Sequence, residues 1–197
     1  MKNFEVIDNF LPVEDFNQLV SLFSPEGYTS REEDRNDANV EMSGDGSTSL
    51  VKVSQFAIPW HYSRGVAGKQ YDDLTNFRLM HMTHTVYDDR LGILSQYYPF
   101  FTSCLGLLQV KALMRIKCNL FPNTEKVYEH AMHTDFPFPH KTGLLYINTC
   151  DGYTTLEDGT KIDSVANRML KFDAGTMHAS STTSNQTVRI NVNISYF

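Results

Sequence analysis

The last eleven residues, TVRINVNISYF, alternate without a break: Val188, Ile190, Val192 and Ile194 fall on one face and Arg189, Asn191, Asn193 and Ser195 on the other. A period of two belongs to an extended chain, whose successive side chains leave in opposite directions, and it offers no stripe to a helix. Residues 110–121, VKALMRIKCNLF, repeat the pattern, with Ala112, Met114, Ile116, Cys118 and Leu120 opposite Arg115, Lys117, Asn119 and Phe121. Each strand therefore buries one face and presents a polar one.

Further strands are expected in KTGLLYIN and RMLKFDA, with Asp158-Gly159 and Ser184-Asn185 as turn signals between runs. Upstream, FEVI reads as a short strand. It is followed by an amphipathic helix in LPVEDFNQLVSLF, where Phe16, Leu19, Val20 and Phe23 recur at helical spacing and Pro12 sits near the first turn. Residues 30–48 are polar and acidic on balance and predict a loop, a candidate lid. LVKVSQFAIPWHY predicts a strand, and LGILSQYYPFFTSCLGLL, from Leu91, a helix interrupted or ended near Pro99. One or two helices followed by many short strands imply a mainly β, α+β chain, an antiparallel sandwich or barrel with helical support. Residues 1–109 would give the support and the substrate-side loops, and residues 110–197 the core.

A length of 197 residues with 41% hydrophobic content suits one domain. No apolar run is long enough for a membrane helix, and MKNFEVIDNF lacks a basic start before an apolar stretch, so a cytoplasmic location is expected. Cys104, Cys118 and Cys150 are odd in number and widely spaced, which suits packed free thiols. A formal net charge of -6 argues against a grip on nucleic-acid phosphates, which needs clustered Lys and Arg.

Against this background HTD gains weight. His133 and Asp135 stand two apart, so on a strand both side chains leave from the same face. Imidazole and carboxylate without thiolate suit iron(II) in a two-histidine, one-carboxylate arrangement with positions left open. Alone, an HxD is commonly a surface strand. His178, in FDAGTMHASS, offers the third ligand once the sheet returns. Arg189 then follows on the polar face of the last strand; a guanidinium there can grip a carboxylate through two parallel hydrogen bonds, although an isolated Arg is more often simply solvated.

Together these residues resemble the prolyl 4-hydroxylase-like branch of the 2-oxoglutarate- and iron(II)-dependent dioxygenases, whose pattern is HxD, a distal His and, about ten residues on, an Arg or Lys. TGLLYIN, residues 142–148, is similar to the family's T-x-x-x-Y-[LI]-N strand. RIKCNLFPNTEKVYEHAMHTDF, DGYTTLEDGTKIDSVANR and RINVNISYF look more closely like small oxygenases of marine bacteria and their phages, which extends the resemblance over most of the chain. It implies a double-stranded β-helix (jelly roll, cupin-like) with Fe(II) on His133, Asp135 and His178. It also implies 2-oxoglutarate as co-substrate, its far carboxylate on Arg189 and Tyr146 with Asn119 and Thr142 nearby, and O2 as oxidant, with ascorbate as an accessory reductant. The reaction implied is hydroxylation of a C–H bond in a peptidyl residue, proline first, or in a small molecule, with release of succinate and CO2. Asp135 itself favours hydroxylation, since related halogenases carry a small residue there.

Two departures stand out. Where relatives have Asn-x-Tyr before the HxD, this chain has Asn119-Leu120-Phe121, so a phenol hydroxyl is missing unless Tyr128 supplies one. Residues 31–45 have no counterpart in the family.

Other features admit plainer readings. His81 and His84, in HMTH, would share a helical face and suggest a weak second metal site. His130 reads as a neighbour of the ligands rather than one of them. Phe136, Phe138 and Pro139 would floor a substrate pocket or simply pack as core, while Arg115 and Lys117, on the face of Asn119, would meet an anionic substrate or, the reading preferred, form a solvated strand face. His61, His140 and Arg168 take no assigned role. The rival functional readings are an AlkB-like nucleic-acid demethylase, against which the acidic balance counts, and a non-catalytic jelly-roll binding or structural module.

Overall fold

The computed structural model describes residues 4–23, 58–63, 65–66 and 80–197. In chain order the elements are β1 (Phe4–Ile7), α1 (Val13–Ser21), β2 (His61–Ser63), β3 (His81–Asp88), β4 (Gly92–Ile93), a 3-10 turn (Tyr98–Phe101), α2 (Thr102–Leu107) and β5 (Leu113–Pro122). There follow β6 (Lys141–Tyr146), β7 (Tyr153–Leu156), β8 (Lys161–Asp163), β9 (Arg168–Asp173), β10 (His178–Ala179) and β11 (Val188–Tyr196). The larger sheet runs β1-β9-β6-β11-β5-β3-β2, with β4 on β3, and the smaller runs β10-β7-β8. Every strand pair is antiparallel. The two sheets make a jelly roll, with the polar faces of β5 and β11 turned toward the smaller sheet.

The alternation in β11 explains its central position. Ile190, Val192, Ile194 and Tyr196 enter one apolar core with Phe16 and Leu19 of α1, Cys104 of α2 and Ile116 and Cys118 of β5. On the other face Arg189, Asn191, Asn193 and Ser195 are also buried. A second, smaller core of Leu144, Tyr146, Leu156, Ile162, Leu170 and Phe172 lies between the sheets. α1 begins after Pro12, with Glu14 and Asp15 in its first turn, where the helix dipole favours negative charge. Asp15 also accepts a hydrogen bond from Ser103 at 2.5 Å, tying α1 to α2.

Three expectations are corrected or extended. The stretch from Leu91 is not helical up to Pro99: β4 comes first, and Pro99 lies in the first turn of the helical segment and so begins it rather than ending it. Proline is tolerated there because the first N–H groups of a helix have no intrahelical partner. HMTH opens strand β3, so His81 and His84, three apart, leave on opposite faces and cannot share a metal. The imidazole of His84 meets Ser95 Oγ and Pro59 O, each at 2.9 Å, on the side away from His81. β7, β8 and β10 were not foreseen, although Asp158-Gly159 does turn β7 into β8, with Gly159 at φ +83° in the left-handed region that suits glycine. The acidic residues 31–45 and most of the strand expected over residues 50–62 lie outside the described residues. Among those described, no helix is long and apolar enough to cross a membrane.

Ile194 is fully buried between α1 and the larger sheet. Ile194→Ala is expected to lower unfolding free energy by ~2–5 kcal/mol, read as a lower urea midpoint at unchanged denaturant slope.

Candidate metal centre and anion pocket

His133, Asp135 and His178 each offer one ligand atom, and these atoms lie within 4.8 Å of one another. The HxD is not on a regular strand: His133 forms an isolated bridge with His178, and Asp135 follows in a bend. Convergence comes instead from the backbone. His133 N donates to His178 O and His178 N to His133 O, both at 2.9 Å. Each ring also has Nδ1 beside the carbonyl oxygen two residues earlier, at 3.3 Å for His133 and Ala131 and 3.2 Å for His178 and Thr176. With Nδ1 protonated as donor, each Nε2 is left as a lone-pair ligand. Burial, with repulsion from His133, lowers the pKa of His178 and favours the neutral form a ligand needs.

Asp135 is held by two groups of the larger sheet. Arg115 Nη2 lies 3.0 Å from Oδ1, and Asn193 Nδ2 donates to Oδ2 at 2.8 Å. Burial opposes ionisation, but the charges of Arg115 and Lys117 and the Asn193 hydrogen bond outweigh it and hold the carboxyl well below the usual range. Arg115 is stacked on Phe136, 4.7 Å from its ring centroid. The expectation of a solvated Arg115–Lys117 face is thereby corrected: Lys117 lines the same cavity as the three ligands, with Asn119, Phe121, His81, Thr154, Asn191 and Asn193. Burial, reinforced by Arg115, pushes the Lys117 ammonium down to about 8.

Arg189 lies further along the same face and is fully buried. Nη1 donates to Ser181 O at 3.2 Å and Nη2 to Thr154 Oγ1 at 3.1 Å, while Nε has no partner. Thr154 Oγ1 also accepts from the hydroxyl of Tyr146 at 2.8 Å. The guanidinium carbon stands 5.5 Å from the centroids of both Phe121 and Tyr146. No carboxylate pairs with Arg189 among the described residues. A desolvated cation of this kind asks for an anion.

Asn119 also reaches the cavity, its Nδ2 donating to Asn191 Oδ1 at 3.0 Å. Thr142 does not join this group. It is buried, its hydroxyl has no partner, and it borders a separate depression with Phe4, Lys171, Phe172 and Tyr196. Tyr128, the candidate for the missing hydroxyl, takes a hydrogen bond from Thr182 N on its carbonyl oxygen and carries Lys126 over its ring, and it is not part of the cavity lining. In its place His81 stacks on Phe121 at 5.5 Å with Nδ1 unpartnered. Burial pushes His81 down to about 4 and keeps it neutral. His130 bonds Ser180 Oγ at 2.8 Å, beside the ligands as expected. Phe136 and Phe138 cluster with His140 rather than lining the cavity. Sequence reasoning missed Thr154 and Asn193 as partners of Arg189 and Asp135, although the parity of Asn193 with Arg189 already put it on the right face.

No protein-family model matches the sequence, and no curated protein does. Solved structures do match in fold. One is a prolyl hydroxylase from Trichoplax adhaerens in complex with a hypoxia-inducible factor peptide fragment, at TM-score 0.55 and 16% identity over 100% of this chain and 84% of that one. A second is a viral collagen prolyl hydroxylase of Paramecium bursaria Chlorella virus-1 with 2-oxoglutarate, at TM-score 0.52 and 10% identity over 98% and 94%. A third is the non-heme, α-ketoglutarate-dependent epimerase SnoN from nogalamycin biosynthesis, at TM-score 0.53 and 14% identity over 99% and 77%. At these identities the likeness is one of fold.

Two substitutions test the geometry. A Cβ at Gly152 would stand 2.5 Å from Arg189 Cδ and 2.6 Å from Thr182 O, so Gly152→Ala is expected to cost ~1–3 kcal/mol in stability, read by thermal or urea unfolding. Lys117→Met should act in the opposite direction and raise Tm at pH 7, because it removes a buried charge. The folded protein binds fewer protons than the unfolded chain between about 8 and the ordinary 10.5. Stability of the parent therefore rises across that window, and the advantage of the Met variant shrinks as pH climbs through it.

Proposed function

We propose that this chain is an Fe(II)- and 2-oxoglutarate-dependent oxygenase that hydroxylates a C–H bond of a peptidyl residue or a small molecule. One observation carries the reading: a two-histidine, one-carboxylate cluster lines a cavity together with Thr154 and Phe121, and directly behind those two lies a fully buried arginine with no carboxylate partner among the described residues. The first suits a divalent metal, the second the far end of a dicarboxylate, and few other ligands answer to both. The fold neighbours support the same class. Prolyl hydroxylases among them make proline the first peptidyl candidate, and the Trichoplax enzyme's peptide complex is a precedent for a peptide substrate.

The donor set fits iron(II). Two imidazole Nε2 atoms and one ionised carboxylate are offered without a thiolate, since the three cysteines are buried elsewhere. His133, Asp135 and His178 would hold the metal, and Arg189, with Tyr146 and Thr154, the far carboxylate of 2-oxoglutarate. Bound together with O2, iron and 2-oxoglutarate supply the oxidising power, 2-oxoglutarate ending as succinate and CO2.

The protein's own contribution is placement. Arg115 and Asn193 each take one oxygen of Asp135, fixing the carboxylate plane and keeping it ionised. Phe121 and Tyr146 flank the guanidinium of Arg189 and exclude water from it, which strengthens any charge-assisted bond formed there. Thr154 orients both the Arg189 guanidinium and the Tyr146 hydroxyl. Asn119, on the same wall, would add an amide contact. No acid–base pair is needed beyond these groups.

Anaerobic titration of the purified protein with Fe(II) and 2-oxoglutarate should develop a weak visible charge-transfer band. His178→Ala should abolish it, and Arg189→Met should raise the 2-oxoglutarate concentration required by roughly tenfold or more. A folded protein that gives no band under these conditions is not an oxygenase of this class.

A further inference from the structure

The oxygenase reading leaves Lys117 without a task. Its side chain lines the cavity beside His133, Asp135 and His178, yet among the described residues it makes no hydrogen bond or ion pair. The neighbouring carboxylate, Asp135, has its two oxygens committed to Arg115 and Asn193. Nor does Lys117 belong with the anion pocket of Arg189. Arg189 pairs across the sheet with Phe121 and Asn193 with Lys117, so the two cations stand four residues apart along β5. That is about 13 Å at the rise of an extended strand.

Formal charges point the same way. Around the metal end the described charged groups are Arg115, Lys117 and Asp135; burial keeps His81 neutral, and a metal would require His133 and His178 as neutral ligands. Arg115 and Asp135 cancel. Were Fe(II) and 2-oxoglutarate bound, their charges of opposite sign would sum to zero, so Arg115, Lys117 and Arg189 against the single Asp135 would still leave the site net positive, with Lys117 the cation that faces no hydrogen-bonded or ion-paired carboxylate among the described residues. Buried ammonium groups are unfavourable unless paired.

Resting on the proposed oxygenase activity, we infer that Lys117 is a specificity-determining residue, receiving the carboxylate of a small anionic substrate such as a free α-amino acid. A capped peptidyl residue offers only neutral amide groups next to the reacting carbon and would leave the ammonium desolvated and unpaired. A free acid would neutralise it and be oriented by it, since a lysine contributes a point charge with three donors. The pocket thus narrows the two substrate classes to the small-molecule one, and free proline satisfies both this requirement and the fold neighbours.

The test begins with the charge-transfer band of the wild-type protein, whose absence would defeat the oxygenase reading itself. With the band present, succinate release is measured against a panel of free L-amino acids, L-proline included, each beside its primary amide, and against a capped proline-rich peptide. At least one free acid is expected to stimulate succinate release well above the substrate-free rate while its amide does not. Lys117→Met should raise the KM for that acid roughly tenfold or more, and Lys117→Arg should restore part of the loss. Circular dichroism and melting of both variants report folding separately. The inference is overturned if no free acid outperforms its amide, if the capped peptide is the better substrate, or if Lys117→Met raises the KM for 2-oxoglutarate instead of that for the acid.

Discussion

Both faces of β11 are withdrawn from water, and the rest of the molecule follows from that. A strand with one apolar face is ordinary, since helices or a second sheet can cover it. Here the opposite face, carrying Arg189, Asn191, Asn193 and Ser195, is as buried as the apolar one. Every polar group placed there must find a partner inside. Asn191 finds Asn119 and Asn193 finds Asp135. Two cations, Lys117 on this wall and Arg189 behind it, form no ion pair with a carboxylate among the described residues, and they are where a ligand would complete the interior. The smaller sheet closes the cavity, and β10 brings His178 to it.

What the sequence revealed was whatever depends on period two. The parity of Arg189 with Asn191 and Asn193, and of Lys117 with Asn119, is a property of backbone geometry and survives any arrangement of the sheets. Parity identifies a face but says nothing of what lies across from it. That is why Arg115 and Lys117 read as solvated: the groups that enclose them come from the segment around His133 and from β10, some twenty to sixty residues on. Short elements were also hidden. β10 has two residues and β8 three, too few for any pattern to register. The HMTH histidines were misread because spacing of three suits a helix only if the chain is helical, and β3 is held extended by its pairing with β5.

The candidate metal ligands converge for a reason other than the one their spacing suggests. The HxD spacing suggested a strand face, whereas His133 and Asp135 sit on a bridge and a bend whose shape is set by hydrogen bonds to the His178 segment. Side-chain spacing and backbone pairing reached the same point independently. The fold neighbours share this architecture at 10–16% identity, and they include an epimerase as well as prolyl hydroxylases. A shared architecture leaves the reaction open, so any choice of substrate has to come from this chain's own cavity lining, Lys117, Phe121 and His81 among it.

The reciprocal backbone bonds between His133 and His178 carry a consequence for metal selection. Both imidazoles are oriented by main-chain carbonyls, and the carboxylate by Arg115 and Asn193, before any ion arrives. Such a prearranged tripod loses little conformational entropy on binding, so it should take up divalent ions readily. With only three protein ligands, it leaves the remaining coordination positions unconstrained and so imposes only part of a geometry on the ion. Across the first-row series intrinsic affinity rises past iron toward nickel and copper. Fidelity for iron would then rest largely with the supply of metals in the cell, since three ligands ready for loading would also be ready for a competing divalent ion.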